Sequence, residues 1–287
     1  MAGSAAAAME NKDMTTRADY TQDAVIAARS VLLELVRLLG EYRDDIVVVG
    51  GWVPELLLPG AVTPHTGSVD IDLALNHRKI LEAGYRTINR LLLERGYTAG
   101  EHPYIYFRAV EIEGRPINVE VDLLAGEYEG TGRGRRTQKV QDIRTRKARG
   151  CDLAFDMYTE VVLEGALPGG GLDRATIRVA SIVPFLVMKG MAMADRIKEK
   201  DAYDIYYCVQ NYPGGIEALA EAFRSHADHG LVQEGLQKIG EKFASPEHTG
   251  PKHVADFLEI DDAEERERVQ RDAYERIQAL LRGIPTA

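Results

Sequence analysis

Two stretches of this chain alternate apolar and acidic residues, and that alternation limits what the chain can fold into. In Ser68-Val69-Asp70-Ile71-Asp72-Leu73 the acids and the apolar residues each fall at every second position. Successive side chains of a β-strand point to opposite faces. Asp70 and Asp72 are therefore expected on one face, with Val69, Ile71 and Leu73 turned to a core. The pattern returns downstream, where Asn118, Glu120 and Asp122 share one face and Val119, Val121 and Leu123 the other. If the two strands are neighbours, Glu120 or Asp122 adds a third carboxylate to the first pair. Carboxylates gathered this closely repel unless a divalent cation lies among them. Hard oxygen ligands of this kind suit Mg2+ held together with substrate phosphates.

Upstream, the β-branched run Ile46-Val47-Val48-Val49 ends at Gly50-Gly51, which predicts a buried strand followed by a tight turn. Residues 53–58 then read as a short helix stopped by Pro59-Gly60. Without a Cβ in the way, backbone N–H groups at such a turn can approach a triphosphate, and the helix start adds a partial positive charge. Gly50, Gly51, Trp52 and Ser68 are accordingly candidate nucleotide-binding residues. A lone glycine pair is usually only a turn, and a lone Asp-x-Asp is usually solvated. Their succession, backed by a further acidic strand, is what points to a metal–nucleotide site.

The rest of the chain divides by pattern. Residues 24–39 carry apolar side chains at helical spacing, and residues 78–95 read as a second helix capped by Gly96. Strands are expected over 104–112 and 117–124, joined at Glu113-Gly114-Arg115-Pro116, and over 159–163 and 176–179 around Pro168-Gly169-Gly170-Gly171. Residues 126–150 read as a long loop. From Pro184 onward the pattern is helical. The fold class expected is α+β. Residues 19–180 would form a mixed β-sheet flanked by helices and residues 181–287 an α-helical domain, after a disordered leader over 1–18.

Charge and composition exclude some partners. No run of eighteen apolar residues occurs, so no membrane span is expected. Two cysteines, Cys151 and Cys208, form no disulfide framework and fit a reducing cytoplasm. A net charge of −10 argues against coating nucleic acid by overall attraction. The charge is uneven, however. Arg133, Arg135, Arg136, Lys139, Arg144, Arg146, Lys147 and Arg149 crowd one segment against a single acid, Asp142. Such a segment can follow a phosphate backbone, and its first seven cations are candidate RNA-binding residues. The plainer reading is a solvated polar loop.

A second cluster lies in the helical half. Lys189 and Arg196 are seven apart, which on one helix places both on a face with Met193, able to reach a single anionic partner. Asp201 and Asp204, three apart, likewise share a face. His226 with His229, and His248 with His253, read as surface histidines. Tyr203, Tyr206 and Tyr207 read as helix packing. The final helices, over 251–258 and 264–281, offer a face to a partner protein or to a second copy, though nothing in them requires it.

At Val49-Gly50-Gly51, Val69-Asp70-Ile71-Asp72-Leu73 and Val121-Asp122-Leu123 the sequence resembles the DNA polymerase β-type nucleotidyltransferase superfamily. Lys189 and Lys200-Asp201-Ala202-Tyr203-Asp204-Ile205 narrow the resemblance to the AbiEii/MenT-type nucleotidyltransferase toxins, over roughly residues 45–210. The resemblance implies that Asp70 and Asp72 bind catalytic Mg2+ (or Mn2+), with Asp122 as the third acid helping to activate the attacking hydroxyl. Lys189 would contact phosphates, and Asp204 or Asp201 would be the additional acid of the last motif. The implied reaction moves NMP from an NTP to a hydroxyl and releases pyrophosphate. Its implied acceptor is RNA, commonly the 3′ end of tRNA, in a growth-inhibiting toxin with a cognate antitoxin. Two departures stand out. Trp52 replaces the usual serine or threonine, and the stretch from Gly51 to Asp70 is long, with Pro54, Pro59 and Pro64. Competing readings are an antibiotic nucleotidyltransferase and a non-catalytic nucleotide- or partner-binding module.

Overall fold

The structure, a computed structural model, describes residues 16–80, 86–127 and 137–284. The chain enters through helix α1 (Gln22–Leu38), strand β1 (Ile46–Val49), the short helix α2 (Val53–Leu57) and β2 (Asp70–Leu75). Helix α3 (Ile88–Arg95) leads to β3 (Thr98–Ala99), β4 (Ile105–Ile112) and β5 (Arg115–Ala125). Next come β6 (Thr137–Val140), β7 (Ile143–Lys147), one helical turn α4 (Leu153–Asp156), β8 (Tyr158–Ala166) and β9 (Leu172–Ala180). The remainder is helical: α5 (Ile182–Asp195), α6 (Glu199–Asn211), α7 (Gly215–Arg224), α8 (Gly230–Lys242), α9 (Thr249–Phe257) and α10 (Ala263–Gly283).

The sheet is mixed, with strand order β3-β4-β5-β2-β1-β9-β8, and β7 joins the far end of β5. Val119, Val121, Leu123, Ile71 and Leu73 are all buried, as is the inner face of α1 at Ala27, Ala28, Val31, Leu32 and Leu35. Each large apolar side chain so covered contributes about 1.5–3 kcal/mol. The one acid on that helix face, Glu34, is held by Arg95 and Arg108 at 2.5 and 2.8 Å.

Helix α5 is buried along most of its length and crosses α8 at backbone contact. A Cβ on Gly190 would lie 2.5 Å from the Gly235 carbonyl oxygen, and one on Gly235 would lie 2.9 Å from the Val187 Cα. Only hydrogen fits at either position. Both cysteines are buried and free. Among the described residues no helix is long and apolar enough to cross a membrane.

Several expectations need correction. The leader expected over 1–18 is ordered at its end, where Arg17–Asp19 form a 3-10 turn behind Thr16; residues 1–15 lie outside the described residues. The helix expected over 78–95 is described as helix only from Ile88, with Thr87 accepting from the Arg90 N–H as its N-cap. Before it, Asn76 turns the chain by accepting from Arg78 N through its side chain and from Lys79 N and Ile80 N through its carbonyl. The long loop expected over 126–150 contains the β6–β7 hairpin. Val140, Ile143 and Thr145 are buried beneath it, and Gln141 supplies the positive φ of its turn. Arg133, Arg135 and Arg136 lie outside the described residues.

Candidate active site

Strand pairing brings the acids together. Strands β2 and β5 run parallel, with Asp70 beside Glu120 and Asp72 beside Asp122. Paired strands lie about 4.8 Å apart and like-numbered side chains share a face. The choice between Glu120 and Asp122 is therefore not an exclusive one, because both stand in the row. On the other side of β2, antiparallel β1 sets Val49 against Asp72 and then turns. Gly50 has φ +69°, and a Cβ there would lie 1.9 Å from Asp72 Oδ2. A Cβ on Gly51 would lie 2.3 Å from Ser68 Oγ. The glycine bend thus makes room for the carboxylate and for Ser68, whose hydroxyl donates to Asp70 Oδ1 at 2.5 Å.

Trp52 is a correction. Its indole is wholly buried and donates from Nε1 to the Asp70 carbonyl at 2.9 Å, so it supports β2 from within and offers nothing to a ligand.

The row is strongly polarised. Burial pushes the Asp122 carboxyl up to about 7, against the pull of the Arg146 guanidinium. Burial and the neighbouring Asp70 also raise Asp72. Glu120 is raised by burial and by Asp70 and Asp72. Asp70 moves the other way: burial is outweighed by Lys198, Ser68 and Lys200, which hold it below the ordinary carboxylate value. Lys198 Nζ stands 3.9 Å from Asp70 Oδ2. Arg146, expected in a basic loop able to follow a phosphate backbone, turns in to the acids. Its Nη2 lies 2.5 Å from Asp122 Oδ2 and 3.7 Å from Asp72 Oδ1. Arg149 is likewise engaged, bound to Glu127 and Glu234.

The second cluster closes behind this row. Lys189 Nζ is 2.7 Å from Asp201 Oδ1 and 2.7 Å from Asp204 Oδ2, with almost no exposure. Arg196 does not share a helix face with Lys189, because α5 ends at Asp195 and Arg196 is extended (φ −142°, ψ 163°). The two cations still meet one anionic partner, Asp201, which Arg196 reaches at 2.9 Å. Asp201 falls to about 2, the pull of Lys189 and Arg196 outweighing burial. Asp204 is held well below its ordinary value, as Lys189, Lys200 and His65 outweigh burial. Burial and Lys200 lower His65 to about 4, so its ring is neutral at pH 7. Its Nδ1 accepts from the Gly67 N–H at 3.1 Å, which leaves Nε2–H to donate to Asp204 Oδ1 at 2.9 Å. Lys200 Nζ lies 2.8 Å from Asp204 Oδ1 and 3.4 Å from where a Cβ of Gly51 would be, tying α6 to the glycine bend.

A family model described as nucleotidyl transferase AbiEii toxin, type IV TA system, matches residues 65–286, most of the chain and every acid just described. The chain belongs to the AbiEii nucleotidyl transferase toxin family. It is thus a nucleotidyl transferase of a type IV toxin–antitoxin family, which implies an NTP substrate and an antitoxin partner. No curated protein and no solved structure matches. The family match begins beyond Gly50, Gly51 and Trp52, so the glycine bend stands on its geometry alone.

In this AbiEii chain the oxygen-only donor set of Asp70, Asp72, Asp122 and Glu120 fits a hard divalent cation. Asp122 Oδ1 is buried with no hydrogen-bond partner. Among the described residues, however, no three acidic, cysteine or histidine side chains already close around one point. Sequence reasoning placed Arg146 with the RNA-binding cations and not with the acids, gave Lys200 no role of its own, and missed Lys198 and His65. Lys200 was visible as the first residue of the Lys200-Asp201-Ala202-Tyr203-Asp204-Ile205 stretch, Lys198 only as a neighbouring cation, and His65 carried no signal. A cavity of about 300 Å³ lies elsewhere, lined by Leu35, Leu39, Val48, Leu73 and Ile177 among others, and none of Asp70, Asp72, Glu120 and Asp122 borders it. The tyrosines pack: Tyr203 stacks on Phe257 at 4.5 Å and on His65 at 5.6 Å.

Proposed function

We propose that this protein transfers NMP from an NTP to a hydroxyl at the 3′ acceptor end of tRNA, and so acts as a growth-inhibiting toxin in the cytoplasm. In this reading residues 19–180 are the nucleotidyltransferase domain and 181–287 a helical domain. The observation that carries it is the parallel pairing of Asp72 with Asp122 beside the Gly50 bend. A bound Mg2+ or Mn2+ would neutralise phosphate charge, held by Asp70, Asp72 and Asp122.

The chain's own residues supply the rest. The acceptor oxygen bonds to the α-phosphorus, the bond to the β-phosphate oxygen breaks, and pyrophosphate leaves. Asp122, the third acid of the row, stands beside Asp72 where it could take the acceptor proton. Lys198 and Arg196, on the extended link between α5 and α6, offer cations to the phosphates. Lys189, Asp201, Asp204, Lys200 and His65 act by holding α6 against the bend. Lys139 and Arg144, exposed on the β6–β7 hairpin, supply positive charge for an RNA backbone, and Lys147 stands beside them half-buried.

The test offers each α-labelled NTP with Mg2+ to total tRNA and, separately, to a panel of aminoglycoside and lincosamide drugs. Label on tRNA, lost in Asp72→Ala, supports the proposal. Label on a drug alone overturns it, and pyrophosphate release from neither acceptor favours a binding module.

A further inference from the structure

Arg146 makes an unusual ion pair. Strand β7 runs parallel to the end of β5, with Arg146 beside Leu124, and this puts its guanidinium over the side chain of Asp122, two residues earlier. An arginine built in as a permanent partner of a buried carboxylate ordinarily grips with two parallel N–H donors and has its remaining donors satisfied. Here one nitrogen, Nη2, serves both acids, at 2.5 Å from Asp122 and 3.7 Å from Asp72. The Nε donor of Arg146 and the Oδ1 acceptor of Asp122 are both buried and both lack a hydrogen-bond partner. The side chain nonetheless keeps 35% of its surface, so it has a way out to solvent.

We propose that Arg146 is the resident counter-ion of the acid row, displaced when a divalent cation enters and then free to bind the phosphates of the incoming nucleotide. This rests on the reading of Asp70, Asp72 and Asp122 as the metal site. Two cations cannot share Asp122 at contact distance without strong repulsion. The displaced guanidinium, planar and forked, matches a phosphate better than a lysine would. The same side chain therefore weakens metal binding in the empty site and strengthens nucleotide binding in the loaded one. A purely structural arginine has no such pair of opposite effects.

The experiment compares the full chain with Arg146→Gln and Arg146→Lys, at pH 8.5 to keep the wild-type Asp122 ionised. Mn2+ affinity is read by electron paramagnetic resonance without nucleotide. Affinity for α,β-methylene NTP analogues, which cannot react, is read by calorimetry with Mg2+. Arg146→Gln is expected to bind Mn2+ about tenfold tighter and the analogue about tenfold weaker, each the weight of one charge-assisted contact. Arg146→Lys, which keeps the charge and loses the fork, should show both shifts with smaller size, and stands in if the glutamine variant fails to fold. Both affinities unchanged, or both weakened together, overturn the proposal. Mn2+ binding that survives Asp122→Asn undiminished instead overturns the metal-site reading beneath it.

Discussion

Gly50 and Asp72 compete for one volume: a Cβ on the glycine would sit 1.9 Å from Oδ2 of the aspartate. The site's sequence requirement thus extends beyond the acids to the residue that leaves Asp72 its room.

Gly50→Ala should accordingly disable the enzyme without unfolding it. The positive φ costs an alanine about 1–2 kcal/mol, which a domain can absorb. Displacement of the Asp72 carboxylate by about an ångström should cost about a hundredfold in kcat. Pyrophosphate release, measured beside far-ultraviolet circular dichroism, checks this. Retained activity would show that Asp72 is not needed where it stands.

Asp122 should make the metal-free protein less stable as pH rises. Its folded value of about 7 lies above the ordinary carboxylate value, so the native state binds more protons than the unfolded one between about pH 4 and pH 7. Stability is lost across that window and is constant above it. His65 works in the opposite sense: its folded value of about 4 lies below the ordinary one, so its contribution is lost as pH falls from about 6.5 to 4. The clean measurement is the difference in thermal midpoint between wild type and Asp122→Asn. The variant should gain on the wild type steadily from pH 4 to 7.

Lys189→Met should destabilise the fold by roughly 3–5 kcal/mol, the cost of stranding buried charge. Asp201 and Asp204 both lie within 2.7 Å of its ammonium and are themselves buried. Chemical denaturation reads the loss. A fully stable but inactive Lys189→Met would mark this lysine as a substrate contact instead of a brace.

Lys139→Glu with Arg144→Glu should raise the KM for tRNA and leave that for NTP unchanged. Each phosphate contact removed should lower the slope of log KM against log salt by about one. A drug-modifying enzyme would show no such dependence on this hairpin.

Much of the site was legible because its acids alternate with core residues, and period-two patterning is local information. The sequence also showed the glycine turn, since Gly50-Gly51 directly after a β-branched run is a local turn signal. It did not show which strands pair, and the parallel register of Asp72 with Asp122 joins residues fifty positions apart in sequence. Arg146 was grouped with its neighbours in a basic run, while its actual partners lie 24 and 74 residues upstream. Trp52 resembled a ligand contact because burial cannot be read from one residue between a turn and a short helix. Arg196 was placed on a helix because nothing at Asp195 signals a stop, neither glycine nor proline; its pull toward Asp201 in the next helix accompanies the break. The β6–β7 hairpin was hidden by its outward cations, which leave only Val140 and Ile143 as apolar markers.

Gly190 follows Lys189 directly, and its missing side chain is what lets α5 lie flush against Gly235 of α8. That contact behaves as a gauge block. One methyl group added on the far side of the bundle would wedge the two rods apart and shift the ammonium that pins Asp201 and Asp204. Loss of toxicity is therefore available to this chain through a position that touches neither nucleotide nor acceptor. Spontaneous escape mutants selected in growing cells should include Gly190 and Gly235 alongside the acids.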